Sequence, residues 1–198
     1  LGLELAALNH AHEAEAALYR LRDGAMLRVA MRELLLGISV ADVGDELTLL
    51  ADIILEAAVR EGREKAERRF GPSDVPFAVL GLGKLGGREM GYGSDLDLVF
   101  VYEAGHTDEP GMEPMQYFAE VAAQTMRRLK ESTRYGVLYQ IDARLRPDGN
   151  KGILAIDHHH LEDYYRNHAQ VWERFALMKV RAVAGDAARL GRAADHEA

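Results

Sequence analysis

The residues predict an α+β fold, in which a small mixed sheet with its own helices is flanked by helical segments. Three observations carry this expectation. The chain opens with a long proline-free stretch rich in Ala, Leu, Glu and Arg. Two short apolar runs, 77–80 and 96–102, are joined by a glycine cluster with little chain to spare. Helical spacing then returns on both sides of a third alternating run, 137–142.

Residues 1–74 are expected to form a helical N-terminal segment. Leu3 to Leu36 reads as helix, with Gly24 as a point where it divides in two. Ser39 and Asp42 stand at capping-box spacing ahead of Leu47, Leu50, Ala51, Ile54 and Ala58, so a second helix runs to Phe70 and stops at Gly71-Pro72. Leu1 already lies inside a helical pattern, which suggests a piece of a longer polypeptide.

Residues 75–156 are expected to hold the core. Phe77-Ala78-Val79-Leu80 reads as a buried strand feeding Gly81, Gly83, Gly86 and Gly87. Leu96 to Tyr102 reads as a central strand covered on both faces. A loop from 104 to 114 precedes a helix marked by Phe118, Val121, Ala122, Thr125 and Leu129. Val137 to Asp142 alternates as a third strand, placing Leu138, Gln140, Asp142 and then Arg144 on one face. Residues 157–198 read as a helical segment whose Leu161, Tyr164, Tyr165, His168, Trp172 and Phe175 face the core. His158-His159-His160 reads as a solvated run rather than a metal site.

Composition narrows the function. With 24 Lys+Arg against 32 Asp+Glu the formal charge is -8, which disfavours a nucleic-acid surface. There is no cysteine, so thiolate metal sites and cysteine nucleophiles are excluded, and a reducing cytoplasm, the setting expected here, is permitted. No apolar run reaches membrane-spanning length.

Gly81-Leu82-Gly83-Lys84-Leu85-Gly86 fits G-x-G-x-x-G, and Glu103 lies near the offset of a ribose-binding acid, so a dinucleotide fold must be weighed. Only Arg88 to Ser94 separate Gly87 from Asp95, too few for a crossover helix. A Walker loop also fails, because Leu85 follows Lys84 where Ser or Thr is required. What remains is a different phosphate cradle, in which the amides of Gly86 and Gly87 approach phosphate oxygens and a short helix follows. A turn without a ligand is the plain alternative.

Asp95 and Asp97 open a strongly apolar strand, and a side-chain period of two puts both carboxylates on one face. Two like charges brought together at a buried strand repel unless a cation joins them. Oxygen-only ligands beside a phosphate cradle suit Mg²⁺ or Mn²⁺. Asp142 is the third candidate, and three carboxylates can hold two divalent ions. Lys84, Arg144 and Arg146 are candidate phosphate ligands.

The run from Gly83 through Gly86-Gly87 to Ser94-Asp95-Leu96-Asp97-Leu98-Val99-Phe100 resembles the nucleotidyltransferase core of the polymerase-beta superfamily. Within it, the likeness is closest to the glutamine synthetase adenylyltransferase / adenylyl-removing family. Tyr139-Gln140-Ile141-Asp142-Ala143-Arg144-Leu145-Arg146-Pro147, Asp163-Tyr164-Tyr165 and Trp172-Glu173-Arg174-Phe175-Ala176-Leu177 extend it. The resemblance implies Mg²⁺-dependent transfer of AMP from ATP to a tyrosine of glutamine synthetase. It implies Asp95, Asp97 and Asp142 as metal-binding acids, which are then the expected catalytic residues, and beside them Gly86, Gly87, Ser94, Lys84, Arg144 and Arg146 are the expected nucleotide contacts. It also implies signalling through the nitrogen-regulatory PII protein. The alternative is the phosphorolytic removal of AMP, with phosphate consumed and ADP released. Residues 91–97 lean to attachment and residues 172–179 to removal. A dinucleotide-binding oxidoreductase and a nucleotide sensor without turnover are the more distant readings.

Overall fold

A computed structural model of the chain describes residues 2–103, 114–147 and 149–186, with the side chains of residues 2–15 and 150 left aside. The expected loop at 104–114 therefore lies almost wholly outside the described residues. Two long helices come first, α1 (Gly2–Leu36) and α2 (Val40–Phe70). Gly24 does not divide α1, because a lone glycine costs a helix only about 1 kcal/mol against alanine and Leu21, Arg22, Ala25 and Met26 around it favour helix. The Ser39 hydroxyl accepts from the Asp42 N–H at 3.1 Å and the Asp42 carboxylate accepts from the Ser39 N–H at 3.2 Å, which closes the capping box and starts α2. Gly71 ends it at φ 88°, a left-handed value open to glycine.

The sheet follows. Strands β1 (Phe77–Gly81) and β2 (Leu96–Tyr102) pair antiparallel, with Phe77 opposite Tyr102 and Gly81 opposite Leu98. This orientation excludes the dinucleotide fold, which needs parallel strands on either side of its glycine loop. The turn between them is α3 (Gly83–Gly86), a single turn of four residues. The glycines themselves make the helical turn, and no helix follows it before β2. Next come α4 (Pro114–Lys130) and the two-residue strand β3 (Ile141–Asp142), then β4 (Ala155–Asp157), both parallel to β2.

The third expected strand is thus much shorter than 137–142. Tyr139 N–H turns to the Leu129 carbonyl at 3.1 Å, and Arg22 of α1 donates to the carbonyls of Val137 and Leu138, so those residues have no ladder to join. Leu138 and Tyr139 are both buried, which breaks the expected alternation.

The segment after Asp157 departs furthest from expectation. It divides into α5 (His158–Asp163), a π-helical turn (Tyr164–His168), α6 (Val171–Ala176) and a 3₁₀ turn (Leu177–Lys179). The extended backbone of Ala169 and Gln170 interrupts it, so the aromatic stripe loses its single face and Trp172 and Phe175 stand 59 % and 65 % exposed. The three histidines begin a helix capped by the Asp157 carboxylate, rather than a loop. The final strand, β5 (Arg181–Gly185), pairs antiparallel with β1 and lies where the sequence suggested helix.

One sheet face packs on α2 and α4 through Phe77, Phe100, Phe118 and Tyr102, with the Phe77 and Phe118 rings stacked at 5.1 Å. Burying each such side chain contributes about 2 to 3 kcal/mol. The other face carries a smaller cluster of Leu82, Val99, Val101, Ile156 and Leu161. Asp95 and Asp97 share the parity of Val99 and Val101, so they belong to this second face. Among the described residues no helix is long and apolar enough to cross a membrane.

Candidate active site

The β2–β3 register builds the site. Asp97 is the parallel partner of Asp142, and the Leu96 N–H donates to the Gln140 carbonyl at 2.9 Å, which fixes that pairing. Leu96 is fully buried in the opposite direction, so Asp95 joins Asp97 on the open face. One ligand oxygen from each of Asp95, Asp97 and Asp142 lies within 4.8 Å of the others. Among the described residues this is the one group of three or more His, Asp or Glu side chains so disposed.

The electrostatics fit a cation site. Burial, then the charges of Asp95 and Asp142, push the Asp97 carboxyl above its usual range, against the pull of Arg144 and Lys84. Asp142 shifts the other way because Arg144 holds it. The Arg144 Nε–H donates to Oδ1 at 3.0 Å and Oδ2 at 2.8 Å, and the Arg144 backbone N–H donates to Oδ1 at 2.8 Å. Sequence alternation expected Arg144 beside Asp142. They do meet, but through an aspartate-anchored turn rather than a continuing strand. Three hard oxygen donors whose mutual repulsion one guanidinium only partly offsets suit Mg²⁺ or Mn²⁺.

The expected nucleotide contacts are placed unevenly. Lys84 is exposed on α3, and its charge acts on Asp97. Ser94 closes the turn ahead of Asp95, its hydroxyl accepting from the Gly91 N–H at 2.9 Å and its own N–H donating to the Gly91 carbonyl at 3.1 Å. The amides of Gly86 and Gly87 are engaged within the turn, donating to the carbonyls of Leu82 and Gly83 at 3.0 Å each. These two glycines also pack closely against the chain behind them. A Cβ at Gly86 would overlap the Lys179 carbonyl oxygen, and one at Gly87 would lie 2.7 Å from the Lys179 side chain. Gly83, at φ 54°, is the glycine closest to the chemistry, since a Cβ there would overlap Asp97 Oδ2. Arg146 is buried, and it donates to the Ala143 carbonyl and, at 3.3 Å, to the Gly152 carbonyl. It staples the loop after β3 and also lines the cleft beside the acids.

A cleft of about 400 Å³ opens beside the acids, lined by Asp95, Lys130, Gln140, Asp142, Arg144 and Arg146 among others. Sequence reasoning missed Lys130, and it placed Gln140 on the face of Asp142 without giving it a role. Lys130 ends α4, where a cation is ordinary, so its sequence position carried no signal. The cleft sets carboxylates against cations, an arrangement suited to a metal-bound polyphosphate.

Residues 2–196 match the family model described as Glutamate-ammonia ligase adenylyltransferase. Three curated relatives carry the name bifunctional glutamine synthetase adenylyltransferase/adenylyl-removing enzyme. That of Alteromonas mediterranea is 42 % identical over 170 residues, covering 81 % of this chain and 17 % of the relative. That of Thioalkalivibrio sulfidiphilus is 38 % identical over 198 residues, covering 94 % and 20 %. That of Chromobacterium violaceum is 44 % identical over 146 residues, covering 73 % and 16 %. The chain thus spans a fifth or less of the length of these relatives. With the match running over almost every residue, the chain belongs to the glutamate-ammonia ligase adenylyltransferase family.

Proposed function

We propose that this chain transfers AMP from ATP to a tyrosine hydroxyl of glutamine synthetase, with residues 75–156 as the transferring core between helical flanks. The observation that carries the reading is the convergence of Asp95, Asp97 and Asp142 at the mouth of a cleft rimmed by cations. The relatives' shared name supplies the acceptor.

Asp95, Asp97 and Asp142 would hold Mg²⁺ or Mn²⁺, which when bound shields phosphate charge and eases loss of the acceptor's proton. The remaining chemistry is positional. A tyrosine hydroxyl titrates near pH 10, so its approach in line with the α-phosphorus must be enforced by the site. Arg144 and Lys84 are exposed, Lys130 lines the cleft, and all three bring positive charge to where the phosphates would lie. Asp142, held ionised by Arg144, is a ready oxygen donor at neutral pH. Ser94 keeps Asp95 at the strand mouth by closing the turn before it.

Incubation with ATP, Mg²⁺ and unmodified glutamine synthetase, read by intact-protein mass spectrometry, should show the gain of one AMP per modified subunit. No gain would overturn the reading. The likeness of residues 172–179 to the removing type favours a second arm with modified synthetase and phosphate, where loss of AMP and appearance of ADP would reverse the direction. On either reading the setting is the cytoplasm, and PII acts through the rest of a longer polypeptide.

A further inference from the structure

A single helical turn is not self-supporting, because nucleation fixes several residues for one hydrogen bond. The α3 turn must therefore be held from outside. On its front, the Leu82 N–H donates to the Asp97 carbonyl at 2.9 Å, and Gly83 lies directly against the Asp97 carboxylate. On its back stands Arg181, opposite Gly81 in the β1–β5 register. Its Nη2 donates to the Leu85 carbonyl at 3.1 Å and to Asp52 Oδ1 at 3.0 Å, while Nη1 donates to Asp52 Oδ2 at 2.8 Å. The guanidinium thus ties the carbonyl end of the turn to α2 as well as to the sheet. From the turn itself, the Leu85 carbonyl receives from the Gly87 N–H, which it shares with the Gly83 carbonyl, and at 3.4 Å from the Arg88 N–H. Lys179 completes the backing, with its carbonyl against Gly86 and its Nζ on Glu89 at 2.7 Å.

The geometry points to Arg181 as a positioning residue for nucleotide binding: it locks the glycine turn from behind, and so keeps Gly83 and Lys84 set against Asp97. Arg181 touches none of the three acids. A planar fork is required, because the same group must grip a carboxylate with two nitrogens and still reach a carbonyl, which an ammonium on a flexible stem does not reproduce. This inference rests on the proposed transfer reaction for its consequence, though not for its geometry.

The test uses the chain carrying Arg181→Met, Arg181→Lys, and the pair Asp52→Asn with Arg181→Met. The pair removes the carboxylate that the first variant leaves stranded, so it remains informative if Arg181→Met alone does not fold. Hydrogen–deuterium exchange over residues 82–89 and titration with mant-ATP and Mg²⁺ are the readouts. The expected result is about tenfold faster exchange confined to the turn and about tenfold weaker mant-ATP binding in all three, a loss of about 1.4 kcal/mol in each. In AMP transfer, KM for ATP rises while KM for the acceptor stays fixed. Unchanged turn exchange with unchanged mant-ATP affinity would overturn the assignment, as would faster exchange spread evenly over the sheet. If the parent chain binds no mant-ATP at all, the transfer reading fails, and the exchange pattern alone decides the role of Arg181.

Discussion

Replacing Gly83 with alanine probes the contact between the glycine turn and the acids. Gly83 has φ 54°, and a Cβ would overlap Asp97 Oδ2. The substitution carries two costs that a control can separate. Gly37 has φ 63° with nothing within 4 Å of its added Cβ, so Gly37→Ala bears the backbone cost alone. That cost is about 1 to 2 kcal/mol for an L-residue in the left-handed region. For a chain of this size it lowers Tm by about 2 to 4 °C per kcal/mol. Gly83→Ala bears the same strain and must also displace the Asp97 carboxylate by roughly 1 Å, a misplacement that can cost about 10²-fold in rate. Thermal unfolding, Mn²⁺ titration and AMP transfer should be compared in the two variants. Both should lose similar stability, while only Gly83→Ala loses Mn²⁺ affinity and transfer. Equal Mn²⁺ affinity in the two variants would refute the claim that Gly83 sets the position of Asp97.

Other expectations follow from the charges and from buried groups. Because the Asp97 pKa is raised in the folded chain, the native state binds that proton more tightly than the unfolded state. Its stabilising contribution is present below the ordinary value of 3.8 and is lost as pH rises through the folded value, so Asp97→Asn should raise the Tm of the metal-free chain at neutral pH while abolishing AMP transfer. A lower Tm there would contradict the repulsion described. Arg144→Gln frees the Asp142 carboxylate, and Mn²⁺ titration of the nucleotide-free chain should show tighter binding while mant-ATP binding weakens. Burial pushes Tyr139 and Tyr165 up to about 12, so in a 295 nm titration Tyr139→Phe and Tyr165→Phe should each remove absorbance gained near pH 12. The same shift makes the fold lose stability between about pH 10 and pH 12, and the loss should shrink in Tyr139→Phe.

Local signals in the sequence were strong where a residue's role depends on its near neighbours. Ser39 and Asp42 announced the start of α2, and the apolar run 96–102 matches β2 to the residue. The period of two along Asp95-Leu96-Asp97 was enough to join two of the acids, and the shortness of the segment before Asp95 weighs against a dinucleotide fold, which the antiparallel pairing of β1 and β2 then excludes. The roles that depended on distant partners were not legible. Residues 137–140 alternate like a strand, yet Arg22 and Leu129 take their backbone groups, so only Ile141 and Asp142 enter the sheet. Gly86 reads as part of a phosphate cradle because glycine permits close approach, and the approach of the Lys179 carbonyl to it has no signal nearby in sequence. Arg146 reads as a phosphate ligand, and nothing nearby in sequence marks the Ala143 and Gly152 carbonyls that it also binds. The run Arg181-Ala182-Val183-Ala184-Gly185 carries little strand propensity of its own, and its place beside β1 comes from tertiary packing.

The most direct measurement is an anomalous-scattering crystal structure of the chain with Mn²⁺ and a nonhydrolysable ATP analogue. The account predicts Mn²⁺ density coordinated by oxygens of Asp95, Asp97 and Asp142, with the triphosphate in the cleft beside Arg144 and Lys84. Density elsewhere, or the three carboxylates turned apart around no ion, would contradict it.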